Sequence, residues 1–146
     1  MFRGSLVALI TPYNDDGSVN YARIEELVQW HIEEGSDGIV VLGTTGETPA
    51  LTEKEKDLVV RTTIQAAAGR IPIIVGSGSN NTCEAREQSI RYEEMGADGL
   101  LVITPYYNKT NRAGMLQHFY QVADGVSIPI ILYNVPGRTG CSLTYE

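Results

Sequence analysis

Short apolar runs alternate along this chain with stretches whose apolar positions recur every three to four residues. The runs at 6–10, 38–42, 71–75, 100–103 and 128–133 are rich in Val, Ile and Leu and show no polar alternation. Strands of that composition are buried on both faces, which means parallel strands covered by helices. The stretches between them read as helices. From Tyr21 to Glu34 the apolar stripe runs through Ile24, Leu27, Val28, His31 and Ile32, and Gly35 stops it. Thr52 and Glu55 form a capping box that opens a second helix ending near Gly69. A third begins at Thr82, with Glu84 and Glu87 in its first turns, and closes at Gly96; a fourth covers 114–126.

Strand and helix in strict alternation predict right-handed crossovers and an α/β fold. Whether the sheet is open and doubly wound or closed into a barrel is left to a weaker signal, an internal echo. Residues 33–41 resemble 93–101 in character, with one gap, and Arg70-Ile71-Pro72-Ile73-Ile74 resembles Ser127-Ile128-Pro129-Ile130-Ile131. Barrels are built from equivalent units, so the expected fold is a TIM (β/α)8 barrel. Such a barrel needs eight strands and about 250 residues. Residues 1–146 are expected to be the N-terminal part of a single barrel domain, about the first five strands, stopping before the sixth. Residues 142–146 look like the opening of a further helix. Five strands leave two parallel edges unpaired, a poor state for an isolated chain, so a fragment or a self-associating chain is expected.

Composition changes this picture little, but it excludes some functions. The chain of 146 residues is 42% hydrophobic and 20% charged, as soluble globular domains are. A net charge of -7 argues against a nucleic-acid partner. No run approaches the roughly 18 apolar residues of a membrane span. The opening apolar stretch is cut short by Pro12 and the turn residues Asn14, Asp15, Asp16 and Gly17, and reads as a buried strand, not a secretory signal. Cys83 and Cys141 match no zinc spacing and no disulfide framework, which points to a reducing cytoplasm. His31 and His118 read as packing residues, and no metal site is expected. The acid pairs Glu25-Glu26, Glu33-Glu34 and Glu93-Glu94 read as solvated helix faces.

Candidate chemistry collects where strands end, which is where parallel α/β folds bind ligands. Those ends are Thr11-Pro12, Gly43-Thr44-Thr45-Gly46-Glu47, the Gly/Ser run 76–80, Thr104-Pro105-Tyr106-Tyr107-Asn108, and the segment 133–140 with Tyr133 and Arg138. The turn Gly43–Gly46 offers backbone N–H groups flanked by hydroxyls, a combination suited to a carboxylate. It is neither a dinucleotide fingerprint nor a phosphate loop, and no cofactor is called for. Tyr107 and Tyr133 could relay protons only if held by other groups, because a free phenol has a pKa of about 10. Arg138 has the planar fork for a second carboxylate, or for a surface salt bridge.

Taken together, Gly43-Thr44-Thr45-Gly46-Glu47, Thr104-Pro105-Tyr106-Tyr107-Asn108 and the Gly137-Arg138-Thr139-Gly140 segment resemble the dihydrodipicolinate synthase group of pyruvate-dependent Schiff-base aldolases and lyases. The resemblance runs through the whole chain. It implies condensation of pyruvate with aspartate semialdehyde through a lysine imine, on the route to lysine and diaminopimelate. It implies that Thr44 and Thr45 hold the pyruvate carboxylate, and that Tyr133 shuttles protons in a relay with Thr44 and a Tyr107 from a neighbouring subunit. Arg138 would take the second substrate's carboxylate, and the enzyme would be a homotetramer. Asn80, Glu84 and Tyr106 would line an effector site for lysine. Lys56 occupies a position there that is often His, and its charge would oppose lysine's amino groups. The nucleophilic lysine of the family lies on the sixth strand. The lysines here are Lys54, Lys56 and Lys109, two in a helix and one in a loop, and none fits that role. Two other readings stay open: a pyruvate enzyme with a different aldehyde, and a non-catalytic half-barrel or small-acid-binding module.

Overall fold

A computed structural model describes residues 2–144. Five strands, β1 (Leu6–Ala8), β2 (Gly38–Val41), β3 (Ile73–Gly76), β4 (Gly99–Ile103) and β5 (Ile130–Tyr133), form one sheet in the order of the chain. Every neighbouring pair is parallel. The crossovers carry α1 (Tyr21–Glu33), α2 (Glu53–Ala67), α3 (Thr82–Glu94) and α4 (Arg112–Ala123), and a one-turn α5 (Pro136–Thr139) follows β5. A doubly wound sheet reverses its strand order at a switch point; this one never does. With right-handed crossovers, that sequential order puts all the helices on one face and leaves the other for a barrel interior. The sheet is half of a barrel, as the alternation and the echo predict.

The echo has a physical basis. Asp37 and Asp98 each precede a strand and make the same pair of bonds to the neighbouring strand. Asp37 accepts from the Ser5 amide at 2.7 Å and donates its own amide to the Ser5 carbonyl at 2.9 Å. Asp98 does the same with Ile73, at 2.8 and 2.9 Å. The prolines match too: Ile39 donates to the Pro72 carbonyl and Leu100 to the Pro129 carbonyl. Strand entrances two units apart are therefore built alike. The same prolines explain why β3 and β5 begin at residues 73 and 130, two later than their apolar runs, because Pro has no N–H for the ladder.

The helix signals hold. Thr52 and Glu55 form the capping box reciprocally, and the α1 stripe buries Ile24 and Val28. α4 starts at Arg112, not at residue 114, because Asn111 caps it by accepting from the Gly114 amide, and it ends at Ala123. The core lies between sheet and helices, with Ile39, Val41, Ile73, Val75, Leu100 and Val102 facing Val28, Val60, Tyr92 and Val122.

Three expectations need correction. Burial on both faces is true of β3 but not of the edges: Ala8 is exposed on β1, and Leu132 is half exposed on β5, where no further helix covers it among the described residues. Residues 142–144 are irregular and not helical; Tyr145 and Glu146 lie outside the described residues. Glu93 is not merely solvated, since it accepts both the amide and the hydroxyl of Ser127 and ties α3 to the approach to β5. The reading of His118 as a packing residue holds: it is buried, with Nδ1 bonded to the Thr82 hydroxyl at 2.9 Å across the α3–α4 contact. Among the described residues no helix is long and apolar enough to cross a membrane.

Candidate functional site

Beyond β2 the chain turns sharply. Leu42 takes φ 55, which costs about 1 kcal/mol or more for a non-Gly residue and needs surrounding structure to hold it. Gly76 on the next strand supplies the room: a Cβ there would lie 2.0 Å from the Leu42 carbonyl oxygen. The backbone then forms a 3-10 turn over Thr44–Gly46, which ends at Glu47 with φ 53, and a second over Thr48–Ala50. Within the first turn, Gly46 donates to the Gly43 carbonyl and Glu47 to the Thr44 carbonyl, both at 3.1 Å. The Thr44 and Thr45 amides at its head have no acceptor among the described residues. Two further hydroxyls brace it, Thr48 onto Gly43 O at 3.0 Å and Thr11 onto Gly46 O at 2.7 Å.

A cavity of about 320 Å³ opens beside this turn at the carboxyl ends of the strands. Thr44 and Tyr133 line it from β2 and β5, with Ile103 from β4 between them in the wall. Asn80, Glu84 and Tyr106 line the same cavity, and so does Lys56. Glu84 is held by Ser79 Oγ at 2.9 Å and by Gln88 Nε2 at 3.2 Å. The Lys56 side chain is only 12% exposed, and its Nζ pairs with Glu53 at 2.8 Å. Hydrogen bonds from Lys56, and then from Arg91, hold the Glu53 carboxyl below the ordinary glutamate range. Helical position alone could not show that Lys56 faces the cavity; its spacing from the capping box at Thr52 was the available signal.

Three candidates do not line the cavity. Thr45 is exposed at the outer side of the turn. Tyr107 is 90% exposed, with φ 66, in a loop that sends it away from Thr44 and Tyr133. Arg138 is exposed on α5, and no ion pair engages its guanidinium among the described residues, so the surface salt bridge is not formed. Lys54 and Lys109 are exposed, and no lysine stands on a strand end. Thr11 stood among the strand-end residues without an assigned role, and Thr48 was not singled out.

A sequential parallel sheet with a hydroxyl-lined cavity at its carboxyl edge places the chain in the class of α/β barrels that bind small molecules at the strand ends. Comparison with known proteins narrows that class. A family model described as "Dihydrodipicolinate synthetase family" matches residues 1–146. The 4-hydroxy-tetrahydrodipicolinate synthase of Thermoanaerobacter sp. (strain X514) is 50% identical over 146 residues, which is 100% of this chain and 49% of the relative. The chloride-inhibited dihydrodipicolinate synthase of Acinetobacter baumannii, solved with pyruvate, superposes with a TM-score of 0.97 at 47% identity, covering 99% of this chain and 50% of that one. The enzyme from Cyanidioschyzon merolae with lysine bound gives a TM-score of 0.94 at 41% identity, over 98% and 49%. This chain belongs to the dihydrodipicolinate synthetase family. It spans about half the length of the relatives it matches.

Proposed function

We propose that these 146 residues carry the carboxylate-binding and proton-relay half of a lyase that condenses pyruvate with aspartate semialdehyde to 4-hydroxy-tetrahydrodipicolinate. The observation that carries this reading is the convergence of Thr44, whose amide is free, and Tyr133 on one cavity at the strand ends. Pyruvate in the A. baumannii relative supports the first substrate. In this reading a lysine from outside these residues attacks the pyruvate ketone, and loss of water gives an imine. The imine draws off electrons so that a methyl proton can leave, and the resulting enamine attacks the aldehyde carbon. Thr44 and Thr45 hold the carboxylate. Tyr133 moves protons at the imine through Thr44 and the Tyr107 of a second copy, in a homotetramer. The exposure of Tyr107 suits a residue that serves a neighbour's site. Arg138, free of ion pairs, binds the aldehyde's carboxylate.

The test is a chimera of this chain followed by the remaining half of the Thermoanaerobacter relative. It should condense pyruvate with aspartate semialdehyde, and Arg138→Ala should lower kcat/KM for that aldehyde by about 100-fold or more, as loss of a positioning charge does. Preference for a different aldehyde would replace this substrate assignment. Asn80, Glu84 and Tyr106, which line the same cavity as Thr44 and Tyr133, are read as an effector site continuous with the substrate site, a reading supported by lysine in the C. merolae relative. Lys56 lines the cavity with its Nζ paired to Glu53, and its positive charge opposes lysine's amino groups, so the chimera should be inhibited weakly or not at all by lysine. Full inhibition would contradict that.

A further inference from the structure

Thr11 touches neither the cavity nor any candidate catalytic group, yet it is buried and makes one of the shortest hydroxyl bonds in the molecule. Its Oγ1 donates to the Gly46 carbonyl across 35 residues of sequence, at 2.7 Å. Gly46 closes the turn whose head presents the free Thr44 and Thr45 amides. We infer that Thr11 is a positioning residue for carboxylate binding: it sets the tilt of the Gly43–Gly46 turn from behind.

Three observations carry this. The Thr11 hydroxyl is the only side-chain donor to Gly46 O among the described residues, whereas Gly43 O at the other end has both an amide and the Thr48 hydroxyl. Losing Thr11 therefore frees one end of the turn and leaves a buried carbonyl unpaired, which it relieves by rotating toward water. Thr11 also stands on a rigid segment. Leu9 before it continues the ladder through its amide to Val40 O at 2.9 Å, and Pro12 after it accepts from Asn20, the cap of α1, at 2.8 Å. The turn, by contrast, has a left-handed residue at each flank, Leu42 and Glu47, which leaves its far end dependent on the contact from Thr11. The hydroxyl thus transmits the rigidity of β1 and α1 to amides that must converge on one carboxylate within a fraction of an ångström.

This inference rests on reading the turn as a carboxylate site, and the experiment separates the two. Pyruvate is titrated into the isotopically labelled chain, with the Thr44 and Thr45 amide shifts followed by NMR, for the unsubstituted protein, Thr11→Val and Thr11→Ser. Valine keeps the shape and removes the donor, and should weaken binding by about 10-fold; serine keeps the donor and should bind within about twofold of the original. Should the valine chain unfold, Thr11→Ala carries the same expectation. Equal affinity in the valine chain overturns the positioning role. So does equal weakening by serine, which would assign the effect to methyl packing. Absence of any response in the unsubstituted chain overturns the carboxylate site itself, and the proposal with it.

Discussion

At the residue scale, two buried groups are placed against their ordinary chemistry. Tyr92 is fully buried, and burial pushes its pKa up to about 12 although the Arg91 guanidinium beside its hydroxyl pulls the other way. That hydroxyl makes no well-formed hydrogen bond among the described residues and offsets little of its desolvation, so Tyr92→Phe should leave stability unchanged or raise it by up to ~1 kcal/mol in denaturant unfolding. His118 is the second. Burial lowers its pKa, and Nε2 has no partner. The unfolded imidazole, near 6.5, takes up a proton where the folded one does not. Stability should therefore be complete above that pH and decline as pH falls through it, until the folded value is reached. His118→Asn, which keeps a polar partner for Thr82, should flatten the melting temperature between pH 7 and 5. An unaltered slope would show that other groups carry it. The sequence marked His118 as a packing residue, but neither its Thr82 partner nor the burial of Tyr92 was legible, because both depend on how α3 packs.

At the element scale, what could be read was what is local. The capping box, the Gly stops and the Val/Ile/Leu runs depend on neighbours within four residues, and they placed the four long helices and five strands to within three residues at every end. The turn at Gly43–Gly46 was foreseen, but not its 3-10 form, and the second 3-10 turn and α5 were not foreseen. Gly76, over 30 positions from Leu42, makes room for a carbonyl that the sequence does not show to be turned. Two predictions follow at this scale. Thr52→Ala removes the reciprocal cap of α2 and should cost about 1 kcal/mol by denaturant titration. Gly76→Ala places a methyl against backbone that cannot yield and should cost ~1–3 kcal/mol, with a weakened response of the Thr44 amide to pyruvate. A stable protein with unchanged binding would mean that the turn adapts.

For the molecule as a whole, order decided architecture. Strict strand–helix alternation allowed an open sheet or a barrel, and the unbroken order β1 to β5 settles it. The candidate site divides along the same line. The sequence drew Thr44, Tyr133, Asn80, Glu84 and Tyr106 from separate segments, and the fold brings them to one cavity because parallel strands end together. Thr45, Tyr107 and Arg138 lie outside it, on surfaces that only a second copy or further chain can complete under the proposed function. The half-exposed Leu132 and the open edges of β1 and β5 fit that division.

Under the proposed function, these residues hold the carboxylate and relay side of an imine-forming site and not its nucleophile. Borohydride reduction in the presence of pyruvate, read by intact mass, tests it most directly. The 146-residue chain should keep its mass, whereas the chimera should gain one reduced pyruvate on a lysine of the supplied half. A pyruvate adduct on Lys54, Lys56 or Lys109 of this chain, or none on the chimera, would contradict the account.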